Sequence, residues 1–269
     1  MVPAVISLVV VGFLFGGLLA LAGQKFAVEE DPRIEEISEL LSGANCGACG
    51  YAGCRGFAEA VVEGGADASG CPVNSGEVDA QIGDILGLEL SDKEPMVARV
   101  YCQGSCEVAE DKSTYQGIQT CAAAAAVSGG GHKKCANGCL GLGSCSAVCP
   151  FDAITMVQGL AVIDPQLCTG CGKCVAACPK SLIEMAPRSS EVHVLCKNTD
   201  RGASVRKYCK LGCIACRACV KVCPVDAITV KDNLASIDYD LCTSCGACVE
   251  KCPPKCIVQE TETRDQAAS

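Results

Sequence analysis

The chain of 269 residues has no tryptophan, and it has only five phenylalanines and five tyrosines. So few aromatic side chains exclude a large aromatic core as the main source of stability. Its two histidines, His132 and His193, are isolated in sequence, which is more typical of polar or packing residues than of ligands or catalytic bases. The sequence contains no G-x-G-x-x-G fingerprint, no phosphate-binding loop and no Ser/His/Asp set. We therefore expect no substrate-converting site in this chain.

Basic residues are the minority, and the formal net charge of −9 argues against nucleic-acid binding. One stretch nevertheless concentrates positive charge, with Asp200 as its only acid. This stretch is either a solvated face or a docking surface for an acidic redox partner, whose approach its charge would steer. Its basic residues are Lys197, Arg201, Arg206, Lys207, Lys210, Arg217 and Lys221.

Residues Val2 to Gly23 carry no charge, and as a helix they are long enough to cross a bilayer. A cleaved signal peptide is the alternative that Ala20-x-Ala22 suggests, but no Lys or Arg precedes the apolar run. We predict a retained transmembrane anchor over residues 1–24. Lys25, the first cation after it, favours a single pass through the cell (inner) membrane with the remaining chain in the cytoplasm.

Cysteine, by contrast, is abundant: there are 26, and 22 of them lie from Cys102 onward. Three runs share the spacing C-x2-C-x2-C-x3-C-P, which is the bacterial ferredoxin signature for binding iron–sulfur clusters. Disulfides and zinc are the alternatives, but this spacing, repeated three times, favours iron–sulfur clusters and a reducing compartment. The runs are Cys168, Cys171, Cys174 and Cys178; Cys213, Cys216, Cys219 and Cys223; and Cys242, Cys245, Cys248 and Cys252.

A separate four-cysteine motif precedes these runs, and helical apolar spacing surrounds it. The thiols of Cys46, Cys49, Cys54 and Cys71 can hold one four-iron cluster, with interleaved glycines that let the backbone approach it. A zinc site is the alternative. We predict a small, mainly helical domain with its connector over residues 30–90.

The rest of the chain is a duplication with an offset of 74 residues. Pro150–Thr155 matches Pro224–Thr229, and Cys145 and Cys149 match Cys219 and Cys223. We predict an α+β fold in which the anchor and the four-cysteine domain precede two tandem two-cluster ferredoxin-like units. These units cover residues 97–188 and 189–260, and residues 261–269 form a tail.

In two-cluster ferredoxins the fourth cysteine of each run binds the other cluster, and this rule predicts the ligand sets. Leu142 stands where the duplicate has Cys216, so we predict that Cys135 supplies the missing ligand; a three-iron cluster is the alternative. The predicted sets are Cys213, Cys216, Cys219 and Cys252; Cys242, Cys245, Cys248 and Cys223; Cys168, Cys171, Cys174 and Cys149; and Cys135, Cys139, Cys145 and Cys178.

With the amino-terminal motif, these sets predict five [4Fe-4S] clusters. Six cysteines remain, and for each of them a small buried side chain is one interpretation. Cys121 and Cys196 occupy near-equivalent places in the two units. A sixth cluster drawn from Cys102, Cys106, Cys121, Cys196 and Cys209 is the other interpretation, and Cys256 is expected to be structural.

The order of these modules closely resembles the B subunit of Rnf-type ion-translocating ferredoxin:NAD oxidoreductase complexes, over essentially the whole chain. The segment from Cys135 to Cys145 resembles the form found in anaerobic bacteria. This resemblance implies a translocase subunit that accepts electrons from soluble ferredoxin. It would pass them to integral membrane subunits of a complex that reduces NAD and exports Na+ or H+.

Two other functions remain compatible with the residues. One is an electron-relay subunit of a non-pumping membrane hydrogenase, formate reductase or sulfur-compound reductase. The other is a zinc-bound assembly scaffold, which would be colourless.

Overall fold

The computed structural model describes residues 2–25, 31–90 and 94–260, so the predicted tail at 261–269 lies outside the described residues. The first element is helix α1, Val2–Lys25, of 24 residues. Its described large apolar side chains are exposed, including Phe13, Leu14 and Leu19. Side chains on α1 are described at residues 3, 6 and 9–23. Within the described residues, no helix combines the length and hydropathy needed to cross a bilayer.

Three helices form the four-cysteine domain: α2 (Pro32–Leu40), α3 (Cys54–Val62) and α4 (Gly76–Leu86). Asp31 caps α2 by accepting a hydrogen bond from the Arg33 backbone N–H, with proline at the first helical position. Apolar side chains from all three helices, among them Ile37, Phe57 and Ile82, are almost completely buried together. Helix α4 begins at Gly76 because the Ser75 side chain caps it by accepting from the Val78 N–H.

The first ferredoxin-like repeat contains four strands and three short helices. Strand β1 pairs antiparallel with β4, and β2 pairs antiparallel with β3. The apolar faces of these pairs close over the buried cysteines of the repeat. In chain order the elements are β1 (Met96–Val100), α5 (Cys121–Ala126), α6 (Ser144–Ala147), β2 (Ile154–Val157), β3 (Leu160–Ile163), α7 (Lys173–Ala177) and β4 (Ile183–Pro187).

The second repeat has the same pattern, with β5 paired to β8 and β6 paired to β7. The second hairpin and the helix after it begin 74 residues after β2, β3 and α7, as the duplication predicts. The predicted mixture of helices and strands is therefore confirmed. The elements are β5 (Val192–Val194), α8 (Gly202–Val205), α9 (Ala218–Val222), β6 (Ile228–Lys231), β7 (Leu234–Ile237), α10 (Ala247–Lys251) and β8 (Ile257–Gln259).

Side chains from both repeats meet in a buried polar network. The Tyr239 hydroxyl lies 2.8 Å from His193 Nδ1 and 3.0 Å from the Tyr101 hydroxyl. His193 is 2% exposed, and burial lowers its pKa to about 4, helped by the nearby positive charge of Arg99. Arg99 in turn donates to Glu260 at 2.8 Å. This network fixes the two repeats against each other, and His193 serves as a packing residue, as expected from the sequence.

Candidate iron–sulfur sites

A recurring local geometry presents the thiols of the ferredoxin-like runs. In each of the three runs, and at Cys145 in the irregular segment that ends at Cys149, the third cysteine lies in a short helix, and the residue before that helix has a positive φ. Glycine adopts this conformation without strain, whereas Arg217 adopts it with a φ of 57°. The third cysteine of each run is buried as a result. These cysteines are Cys145, Cys174, Cys219 and Cys248.

One cavity of the first repeat is lined by the four thiols that the spacing predicts for one cluster. The Ala98 backbone N–H donates to the Cys168 sulfur at 3.4 Å, so β1 supplies a donor to this set. The pKa of Cys174 is raised to about 12, mainly by burial and also by the neighbouring thiols. We call this cavity site 2, and its thiols belong to Cys149, Cys168, Cys171 and Cys174.

A second cavity in the same repeat differs from the sequence-based expectation in one residue. Cys139, Cys145 and Cys178 line it, but its fourth thiol comes from Cys121 and not from Cys135. Helix α5 begins at Cys121, and the Ser144 hydroxyl at the start of α6 accepts from the Cys121 N–H at 2.8 Å. That hydrogen bond fixes Cys121 at the cavity. We call this cavity site 3.

Cys135 instead lines a third cavity, together with three thiols that the regular motifs leave over. Two of its four thiols come from the first repeat and two from the second. Burial raises the pKa of Cys102 to about 12 and that of Cys135 to about 11. A hydrogen bond joins the two repeats here, because Asn137 Nδ2 donates to the Lys197 carbonyl oxygen at 2.6 Å. We call this cavity site 4, and its thiols belong to Cys102, Cys135, Cys196 and Cys209.

The second repeat contains two more groups of thiols. Burial is the largest cause of the raised pKa of Cys219, and its neighbours Cys213, Cys216 and Cys252 raise it further. We call this group of four thiols site 5. Around Cys248, burial is again the larger cause, and Cys242 and Cys245 are neighbours. Cys223 packs against the same core as Cys248, and we call this group, with Cys223, site 6.

Cys256 belongs to none of the predicted sets but touches site 5. Its sulfur lies 3.5 Å from the Cys252 sulfur, and it is 2% exposed. Hydrogen bonding from Cys256 lowers the pKa of Cys213 and that of Cys252 to about 6, and raises that of Cys256 itself. If Cys252 binds a cluster as a thiolate, its sulfur can only accept, so the Cys256 S–H is the donor of this 3.5 Å pair.

The four-cysteine domain forms the remaining group, which we call site 1: Cys46, Cys49, Cys54 and Cys71. Burial raises the pKa of Cys71, with the Cys49 and Cys46 sulfurs as further causes. The Asn45 side-chain oxygen accepts from the Cys54 N–H at 2.9 Å, which ties the first cysteine pair to the start of α3. Gly53 precedes this helix, and a Cβ there would lie 2.7 Å from that Asn45 oxygen.

The six groups of thiols follow one another in a row. Burial is the largest cause of the raised pKa of Cys171 in site 2, and Cys46 of site 1 is near enough to raise it further. Site 2 adjoins site 3, site 3 adjoins site 4 and site 5 adjoins site 6 through pairs of interacting sulfurs. Between sites 4 and 5, the Cys213 N–H donates to the Cys196 sulfur at 3.3 Å. Site 4 thus lies between the two repeats.

Four thiols around one small cavity fit the ligand set of a [4Fe-4S] cluster, which needs thiolates distributed around four irons. In the described part of the chain, no three His, Cys, Asp or Glu side chains converge closely enough to hold a single metal ion. Sequence reasoning missed Cys102, Cys121, Cys196 and Cys209 as members of definite sets. The signal that pointed to them was the group of cysteines left over from the regular motifs, since the sixth cluster drawn from that group names all four, together with Cys106.

Most of the basic stretch is exposed, and its residue Arg217 lies beside site 5. Lys207, Lys210 and Arg217 are exposed, and Arg217 follows the exposed ligand candidate Cys216 directly. Lys197 differs, because its ammonium lies 2.6 Å from Glu184 and 4.8 Å from the centre of the Tyr101 ring. Lys197 therefore belongs to the contact between the repeats.

Family models match three parts of the chain. An Fe-S cluster model covers residues 41–73, an LdpA Fe-S cluster-binding domain covers residues 145–189, and a 4Fe-4S dicluster domain covers residues 206–253. These ranges include thiols of site 1, sites 2 and 3, and sites 5 and 6 respectively.

Curated relatives extend the similarity over most of the chain. The B subunit of the ion-translocating oxidoreductase complex of Methanosarcina acetivorans is 43% identical, over 86% of this chain and 88% of that protein. The chain belongs to the family of B subunits of ion-translocating oxidoreductase complexes. Within this family, the B subunit of the Na(+)-translocating ferredoxin:NAD(+) oxidoreductase complex of Acetobacterium woodii is 48% identical over 94% of this chain and 76% of its own length. The proton-translocating counterpart of Clostridium ljungdahlii is 39% identical over 88% of this chain and 84% of its own length.

Proposed function

We propose that this chain is the iron–sulfur subunit that accepts electrons from reduced ferredoxin and relays them to membrane redox subunits. The complex as a whole reduces NAD and moves Na+ or H+. The single observation that carries the proposal is the row of six thiol sets running through both repeats to the four-cysteine domain. The names of the relatives, which describe ferredoxin:NAD(+) oxidoreductase complexes, support it.

Each set would hold one [4Fe-4S] cluster, which supplies a centre that accepts and donates a single electron. The chain's part is to place, orient and bury the ligands. For site 3 we assign Cys121 in place of Cys135, the residue expected from sequence, because Cys121 lines that cavity and Cys135 does not. For site 4 we assign Cys102, Cys135, Cys196 and Cys209, which brings the expected number of clusters from five to six.

Site 4 explains how two ferredoxin-like repeats can act as one relay. Electron tunnelling weakens steeply with distance, so neighbouring centres must be close. Sites 3 and 5 belong to different repeats, and the cavity between them is lined by thiols of both. A cluster at site 4 would divide the step from one repeat to the other into two shorter ones.

We place the membrane anchor at α1, which would keep site 1 near the membrane subunits. The uncharged sequence from Val2 to Gly23 and the exposed apolar side chains of α1 support this assignment. Cytoplasmic iron–sulfur domains agree with the position of Lys25 at the end of α1 and with the need for reduced thiols.

We place the docking surface for ferredoxin beside site 5. Cys216 and Arg217 are both exposed there, so a partner at this surface would come close to a cluster ligand. The other exposed cations of the same stretch, including Lys207 and Lys210, would attract an acidic partner and increase the rate of encounter. Electrons would then enter at site 5 and leave from site 1.

The full chain, purified without oxygen, tests this proposal directly. We expect iron and sulfide for six four-iron clusters, electron paramagnetic resonance signals on reduction, and rapid reduction by ferredoxin. The K207E/K210E/R217E variant should raise the apparent KM for ferredoxin about tenfold and flatten its dependence on salt.

The matched control is K231E/K251E/K255E, which reverses three other exposed charges of the second repeat. Its KM should stay within about twofold of the wild-type value if the docking surface lies beside site 5. Equal effects of the two variants would contradict the docking surface. Iron-poor, spectroscopically silent wild-type protein would contradict the relay itself.

A further inference from the structure

Cys256 has an equivalent position in the first repeat, and that position holds a leucine. It follows Cys252 by four residues and immediately precedes β8, and its carbonyl oxygen accepts from the Leu195 N–H at 2.8 Å. In the first repeat, 74 residues earlier, Leu182 follows Cys178 by four residues and immediately precedes β4. Both side chains are 2% exposed. The position thus requires a buried apolar side chain and does not require a thiol.

What the thiol adds is a hydrogen-bond donor directed at site 5. The Cys256 sulfur lies 3.5 Å from the Cys252 sulfur. A thiolate that binds a cluster can only accept a hydrogen bond, so the Cys256 S–H is the donor of this pair. At site 3 the corresponding leucine contributes only its backbone N–H, which donates to the Cys178 sulfur at 3.4 Å. The duplicated sites therefore differ by one side-chain donor at equivalent places.

Resting on the proposed function, we propose that Cys256 is a positioning residue that is not a cluster ligand, and that its S–H raises the reduction potential of the site 5 cluster. The physical reason is that reduction adds negative charge to the cluster and its thiolates. A donor to the ligand sulfurs stabilises the reduced form more than the oxidised form. Site 5 would accordingly be easier to reduce than it would be with leucine at this place.

The test is C256L, which installs the side chain that the first repeat already accommodates. In the full chain, purified without oxygen, we expect unchanged iron content and one cluster whose midpoint potential decreases. A tenfold lower equilibrium constant for reduction, which is the effect we expect, corresponds to about 59 mV for a one-electron couple. The measurement is a redox titration followed by electron paramagnetic resonance.

Two further variants distinguish hydrogen bonding from packing. C256S replaces the thiol with a hydroxyl, which is also a donor, and should keep the potential near or above the wild-type value. L182C places a thiol at the equivalent position of site 3 and should raise the potential of one cluster. Neither result is expected if the side chain at this position acts only through its volume.

The outcomes separate this inference from the proposed function. Unchanged midpoint potentials in iron-loaded C256L would overturn the inference while leaving the relay intact. Loss of one cluster's iron in C256L would also overturn it, because Cys256 would then be a ligand. Absence of iron from the wild-type chain would overturn the proposed function itself.

Discussion

Removing site 4 is the sharpest test of a continuous row of clusters. The variant C135A/C196A deletes one thiol contributed by each repeat, and neither thiol lines the cavities of sites 2 and 3. We therefore expect the loss of one cluster in six, or about a sixth of the iron. Alanine is small and apolar, so the remaining sites should assemble normally.

The magnitude of the kinetic effect follows from the position of site 4 in the row. Sites 5 and 6 lie on one side of it, and sites 1, 2 and 3 lie on the other. If electrons enter at site 5, only two of the five remaining clusters can be reduced rapidly. The other three should be reduced in a separate, slower phase. Wild-type protein should show all six clusters in the fast phase.

A matched control removes a cluster from the end of the row. The variant C242A/C245A should lose the same amount of iron at site 6 but leave sites 1 to 5 contiguous. All five remaining clusters should then be reduced rapidly. The assay is stopped-flow mixing with reduced ferredoxin in the absence of oxygen, with the fast amplitude measured from the loss of visible absorbance.

Two results would refute this reasoning. A fast phase that includes all five clusters of C135A/C196A would show that the two repeats exchange electrons without site 4. Unchanged iron content in that variant would show that Cys135 and Cys196 hold no cluster.

Two further predictions concern stability and location. In the folded protein the pKa of His193 is about 4, below its ordinary value of 6.5. Between these two values the unfolded chain binds a proton at His193 that the folded protein does not, so the folded protein loses stability as the pH falls from 6.5 toward 4. The free energy of unfolding should be about 2 kcal/mol lower at pH 5 for this reason, and H193Q should abolish that loss. The measurement is urea titration without oxygen, followed by cluster absorbance, and equal pH dependence of wild type and H193Q would contradict the prediction. Deleting residues 1–25 from the chain expressed without other subunits should move it from the membrane to the soluble fraction with its iron unchanged, and retention in washed membranes would argue against the anchor.

The sequence alone determined which thiols belong together when they are neighbours along the chain. In C-x2-C-x2-C, the first three ligands are separated by two residues, so a single loop must present them to the same place, as at Cys168, Cys171 and Cys174. The 74-residue offset likewise predicted the positions of the second hairpin and its helix, because duplicated sequences form the same local structure.

Only the tertiary structure decided the sets whose members are distant in sequence. Cys121 and Cys135 are both plausible substitutes for the ligand missing at Leu142, and spacing does not distinguish them. The start of α5, held by Ser144, places Cys121 at site 3, while packing between the repeats places Cys135 opposite Cys196. Those contacts depend on how whole elements pack, and no local pattern encodes them.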